Sequence, residues 1–93
     1  MKVQSIYKVP QGKLLKIFLE KDDKNNTIKK INITGDFFAH PEESIQELES
    51  FLKDTSFEKN EIIQKISKFI DIRDIQFIGV NAESITDAIM RCV

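Results

Sequence analysis

The sequence predicts an α+β domain in the order β-β-β-α-α-(β)-α: a three-stranded antiparallel meander with three helices packed on one face. Three observations carry this. Apolar residues recur with period two as far as residue 35, and with spacings of three and four after Pro41. The strand-like stretches come first and are joined by short polar turns, which suit antiparallel pairing. One face of the meander takes most of the apolar residues, so it needs a cover, and the later amphipathic stretches supply one. At 93 residues, 41% hydrophobic and 31% charged, the chain is apolar enough for one core and short for two. Residues 1–93 are therefore read as a single domain.

Residues 3–9 (Val-Gln-Ser-Ile-Tyr-Lys-Val) are rich in β-branched and aromatic types, which suit a strand. Pro10-Gln11-Gly12 follows as a turn, with a fixed φ and then a permissive one. Across 13–21, Leu15, Ile17 and Leu19 share one face and Lys16, Phe18 and Glu20 the other. Asp22 to Asn26 is a polar turn, and 27–35 alternates again, with Ile31 and Ile33 opposed to Lys30, Asn32 and Thr34. A first helix is expected over 41–53, with Pro41 at its first position, Glu42 and Glu43 favouring the dipole, and a stripe of Ile45, Leu48 and Leu52. Thr55-Ser56-Phe57-Glu58 fits a capping box for a second helix over 57–70, whose stripe is Ile62, Ile63, Ile66, Phe69 and Ile70. Residues 71–80 read equally as a short strand or a packed loop. Asn81 is a good N-cap for a third helix over 82–92, with Ile85, Ala88, Ile89 and Cys92 in its stripe.

The net charge of -1 hides an asymmetry. Residues 1–35 carry eight lysines against three acids, a net of +5; residues 36–93 carry six basic residues against twelve acids, a net of −6. Bulk charge excludes a strongly basic nucleic-acid binder. One cysteine excludes an internal disulfide or a multi-cysteine metal site in this chain, and one histidine argues against a histidine cluster. No apolar run approaches the ~20 residues of a membrane span, and the N-terminus lacks the apolar core of a signal peptide. A cytoplasmic location is the expectation. None of the three glycines (Gly12, Gly35, Gly79) sits in a phosphate-binding fingerprint.

Few residues offer chemistry. His40, before Pro41, reads as an exposed residue at a helix start rather than a general base. Cys92, on an apolar stripe, reads as a small buried hydrophobe rather than a redox nucleophile. Glu42-Glu43 and Glu47-Glu49 read as a solvated helix face, since sequence neighbours on a helix do not face each other. The lysines of the strand half form either a basic surface for an acidic partner or RNA, or ordinary strand-edge protection. RNA binding would want aromatics among the charges, and the strands hold only Tyr7 and Phe18, with no arginine. The segment Ile33 to Glu43 (Ile-Thr-Gly-Asp-Phe-Phe-Ala-His-Pro-Glu-Glu) stands apart. Gly35 ends the third strand where a bend or close approach is favoured, and Asp36 suits a turn. Phe37 and Phe38 cannot both enter one core from a regular strand. Either one of them is left for a partner, or the kink at Gly35 lets both fill the junction of sheet and helices.

These residues carry a resemblance to a known family. Lys8-Val9-Pro10-Gln11-Gly12-Lys13-Leu14-Leu15 at the first hairpin, Ile31 to Phe38, Pro41-Glu42-Glu43 with Ile45 and Leu48, and Ile78-Gly79-Val80 before the last helix resemble the C-terminal accessory domain of lipoate–protein ligases, most of all its free-standing form. Relatives often carry a second glycine where this chain has Gln11. The resemblance implies a fold similar to sulfur-transfer and iron–sulfur scaffold proteins. It implies a non-catalytic subunit, needed with a separate catalytic subunit to activate lipoate to lipoyl-adenylate, and dispensable for transfer to a lysine of an acceptor domain. It places ATP and lipoate, with magnesium, in that partner, and none on this chain alone. The expected partners are the catalytic subunit and, indirectly, lipoyl-acceptor domains, with no nucleic acid and no membrane. Gly12, Lys13, Gly35, Asp36, Phe37 and Phe38 are then expected at or near the docking surface. Two other readings compete: a sulfur-transfer or iron–sulfur scaffold protein, which would need a reactive cysteine, and an adaptor using the basic sheet to bind RNA or an acidic protein.

Overall fold

A computed structural model describes residues 1–10 and 12–93. The part of the hairpin reading that rests on Gln11 lies outside these residues. Strands β1 (Lys2–Lys8), β2 (Leu14–Asp22) and β3 (Thr27–Gly35) form an antiparallel sheet in sequence order. Period two is realised side chain by side chain: Leu15, Ile17, Leu19, Ile31 and Ile33 are buried, while Lys16, Phe18, Asn32 and Thr34 face out. The register pairs Ile17 with Ser5 and Ile33, and a bulge falls between Glu20 and Lys21.

A second, two-stranded ribbon pairs β4 (Phe38–His40) with β5 (Gln76–Ile78). Residues 71–80 are thus divided. Helix α2 (Lys59–Arg73) takes the first three, beyond the expected end at 70, and stops at Asp74 in the left-handed conformation. Helix α1 (Ser44–Phe51) begins three residues after Pro41, which sits in the preceding turn, where its carbonyl accepts the Ser44 N–H. Helix α3 (Ala82–Met90) has the capping box, with Asn81 Oδ1 on the Ser84 N–H and Ser84 Oγ on the Asn81 N–H, both 2.8 Å.

The capping box expected at Thr55 is not formed. Glu58 is the N-cap of α2 and makes no side-chain bond there. The Thr55 backbone is used elsewhere: its carbonyl accepts the Ile28 N–H at 2.9 Å, holding this loop to the edge of β3. Its hydroxyl is buried without a partner.

Helices α1 and α3 lie on the inner face of the sheet, and α2 packs mainly on α3 and α1. One core joins both layers, with Leu15, Ile17, Ile28, Leu48, Leu52, Ile62, Ile66, Ile85 and Ile89 fully enclosed. The acids of α1 do more than solvate. Glu49 Oε2 accepts the Ile33 N–H at 2.7 Å, capping an outward donor of the β3 edge, and Glu47 pairs with Arg73 of α2 at 2.6 Å.

Candidate partner interface

The chain's three glycines meet at one corner of the molecule. In the first hairpin turn the Gly12 N–H bonds the Val9 carbonyl (2.8 Å) and the Val9 N–H bonds the Lys13 carbonyl (3.1 Å). Lys8 Nζ folds back onto the Gly12 carbonyl at 2.7 Å. This turn rests on the residue after β5, where the Lys13 N–H donates to the Gly79 carbonyl at 3.2 Å. Gly79 has φ +95°, and a Cβ there would overlap the Lys13 side chain. The stem of Lys13 therefore lies across Gly79, and its residue is exposed.

The end of β3 reaches the same corner from the other side. Gly35 has φ +151°, and a Cβ would drive into the Leu14 carbonyl, which also accepts the Asp36 N–H at 3.1 Å. What Asp36 contributes is thus its backbone donor. Just before β4, Phe37 turns inward, edge-on to Phe77 with ring centroids 6.3 Å apart. Phe38 turns outward at 69% exposure, directly opposite Ile78 at 54%. Of the two readings open from sequence, the structure takes the one that separates the phenylalanines, leaving Phe38 and Ile78 as an apolar pair on the surface.

A cleft of about 440 Å³ opens beside this pair, between the end of β3, β4 and α1, lined by Ile33, Phe37, Phe38, Ala39, Ile45 and Ile78 among others. The structure thus brings together all six expected residues: Gly12, Lys13, Gly35, Asp36, Phe37 and Phe38. It adds Phe77, Ile78 and Gly79 from β5 and its exit. Their sequence signal was a glycine beside apolar residues in the undecided stretch 71–80, where the pairing with residue 38 is not local.

His40 stands at the other end of β4, exposed and opposite Gln76, three residues before Glu43, the N-cap of α1. Cys92 lies beyond α3, buried, with Sγ 3.7 Å from the Ala88 carbonyl. Burial pushes its thiol up, against a smaller opposing effect of the Ser5 hydroxyl. A high thiol pKa disfavours the thiolate that a sulfur-transfer nucleophile needs. Among the described residues, no three His, Cys, Asp or Glu side chains gather as a metal site, and no helix is long and apolar enough to cross a membrane.

A family model described as the bacterial lipoate protein ligase C-terminus matches residues 14–89. The chain belongs to this family. It is similar to lipoate-protein ligase A subunit 2 of Thermoplasma acidophilum, 46% identical over 59 residues, a stretch covering 62% of this chain and 60% of that protein. It is also similar to a chain of a solved structure from the same organism, described as an archaeal lipoylation system with a bipartite lipoate protein ligase and its E2 lipoyl domain. The TM-score is 0.81 at 34% identity, covering 96% of this chain and 94% of that one.

Proposed function

We propose that this chain is the accessory subunit of a bipartite lipoate–protein ligase, required with the catalytic subunit for ATP-dependent activation of lipoate to lipoyl-adenylate. The observation that carries the reading is the two-way coverage of the structural match: nearly the whole of this chain superposes on nearly the whole of a chain from a two-part ligase system. The two competing readings have less support. Cys92 is buried with a raised thiol pKa, unlike a sulfur-transfer nucleophile.

The chain is inactive alone. ATP, lipoate and magnesium are held by the catalytic subunit. Forming an acyl-adenylate needs charge stabilisation at the α-phosphoryl group and exclusion of water from a labile mixed anhydride. A small domain closing over the partner's site supplies both. The glycine corner suits that task. Phe38 and Ile78 present an apolar contact, and Lys13, exposed and held by its stem over Gly79, projects a positive charge beside it. Backbone hydrogen bonds fix the corner, so little order is lost on docking.

The test is reconstitution. The catalytic subunit should adenylate lipoate slowly alone and rapidly with this chain. Lys13→Ala should lower adenylation by the pair while leaving transfer from supplied lipoyl-adenylate intact. A catalytic subunit equally fast alone would overturn the reading. An unchanged adenylation rate with the variant would remove Lys13 from it.

A further inference from the structure

The helices cover only the inner face of the sheet, and among the described residues no element packs on the outer one. That face has an apolar centre: Ile6 is 72% exposed and Phe18 51%. Ile6 lies opposite Lys16, and Phe18 lies between Gln4 and Asn32, so the two are diagonal neighbours. Lysines ring them. Lys2, Lys8, Lys16 and Lys30 share the face, against Glu20, which pairs with Lys29 at 3.4 Å. Among the described residues, Lys2, Lys16 and Lys30 take part in no ion pair. A shallow depression of about 440 Å³ lies beside Phe18, bordered by Lys2, Gln4, Glu20, Lys30, Asn32 and Val93.

We infer that the open face of the sheet docks an acidic surface of the catalytic subunit, with Ile6 and Phe18 seated against an apolar patch within it. The inference rests on the two-chain ligase reading and extends it from the glycine corner to a second surface. Charge selects the occupant. Four lysines around an apolar centre suit a carboxylate-rimmed apolar patch. They oppose a second copy of this face, which would set lysine against lysine. A single exposed aromatic on this face, with the aliphatic Ile6 beside it, suits protein better than stacked bases. Tyr7 points to the other side, under Arg91 at 4.5 Å.

Area points the same way. Three strands of about seven residues cover roughly 14 by 23 Å, about 300 Å² in projection. A stable complex buries about 800 Å² on each partner. The sheet face alone falls short of that. It runs through Lys8, Leu14 and Lys16 into the hairpin that carries Lys13, so sheet and corner form one continuous surface.

The experiment measures association of the purified chain with the purified catalytic subunit over a range of salt concentrations. The double variant Lys16→Glu, Lys30→Glu should lower the association rate about tenfold at low salt and flatten its salt dependence, as lost electrostatic steering requires. Phe18→Ser should mainly raise the dissociation rate, by about tenfold. All three positions are exposed, and thermal unfolding of each variant checks its fold. Wild-type rates and salt dependence in these folded variants would overturn the inference while leaving the ligase reading standing. Failure of the wild-type chain to associate at all would overturn both. Single-stranded oligouridylate is the second probe. Binding abolished by the charge reversals, with association of the pair unchanged, would assign the face to RNA instead.

Discussion

Replacing Gly35 with alanine tests whether the glycine corner is built as described. Two costs arise together. At φ +151° an L residue is held in a region left almost entirely to glycine, at on the order of 1–3 kcal/mol. The new Cβ also meets the Leu14 carbonyl, a backbone atom that cannot rotate away. Relief requires the end of β3 to part from β2, which breaks the bond from the Asp36 N–H to that carbonyl, worth about 1 kcal/mol net. The sum is about 2–4 kcal/mol. For a domain of this size each kcal/mol moves Tm by about 4–8 °C, so Gly35→Ala should melt about 8 °C or more below wild type. Gly12→Ala is the control. It has no positive φ, so its Cβ, 2.8 Å from the Gly79 carbonyl oxygen and from Val9 Cγ1, meets a close contact without the added backbone strain. Its loss should be smaller. Urea and thermal unfolding followed by circular dichroism measure both. A Gly35→Ala loss below about 0.5 kcal/mol, or a larger loss for Gly12→Ala, would refute the close approach of β3 to Leu14.

Two further outcomes concern the interior. Thr55→Val keeps the shape and removes a buried hydroxyl without a partner, so it should raise stability by about 1 kcal/mol in urea unfolding. Thr55→Ser, which keeps the hydroxyl, should give no gain. Cys92 has a pKa raised by burial, so the unfolded chain ionises its thiol first. Its contribution to stability is then fully present below the ordinary thiol range of about 8.5 and is lost as pH rises above it. The stability of Cys92→Ala should therefore fall less steeply with pH in that range than that of wild type. The native thiol should also react with a disulfide reagent far more slowly than the thiol in urea.

The meander was legible because its signal is local. Leu15, Ile17 and Leu19 alternate with Lys16 and Phe18, and burial follows that pattern residue by residue. The ribbon was not. Phe38–His40 is too short for a period, and its partner Gln76–Ile78 lies more than thirty residues away, where no local pattern points to it. The Thr55 box failed for a related reason: the edge of β3 claims the Thr55 backbone, and long-range pairing outweighs a local cap. At the glycine corner, Gly12 and Gly35 were visible as a turn glycine and a strand-end glycine. Gly79 acquires its meaning only when the hairpin turn is laid over it. The two phenylalanines were left open by the sequence, between one facing a partner and both filling the junction. The turn after Gly35 and the pairing of Phe38 with Ile78 send Phe37 in and Phe38 out.

The charge asymmetry raises a question of scale. A net charge of -1 would give a distant partner little reason to prefer one face. The molecule measures 35 × 27 × 21 Å, and at physiological ionic strength fields decay over about 8 Å. A protein approaching the open sheet therefore responds first to Lys2, Lys16 and Lys30, with Glu49 of α1 reaching the β3 edge, and is largely shielded from the exposed acids of α2, which packs on α1 and α3 rather than on the sheet. Net charge is thus the wrong predictor of association here, and charge per face is the right one. The two predictors diverge on a single substitution. Reversing one outward-facing acid on α2, such as Glu61→Lys, changes the net charge by the same two units, in the opposite sense, as Lys30→Glu. If the sheet face governs docking, Lys30→Glu slows association at physiological salt and Glu61→Lys leaves it unaltered. Equal and opposite effects on the association rate would mean that the molecule acts as a point charge and that its layered charge has no role in docking.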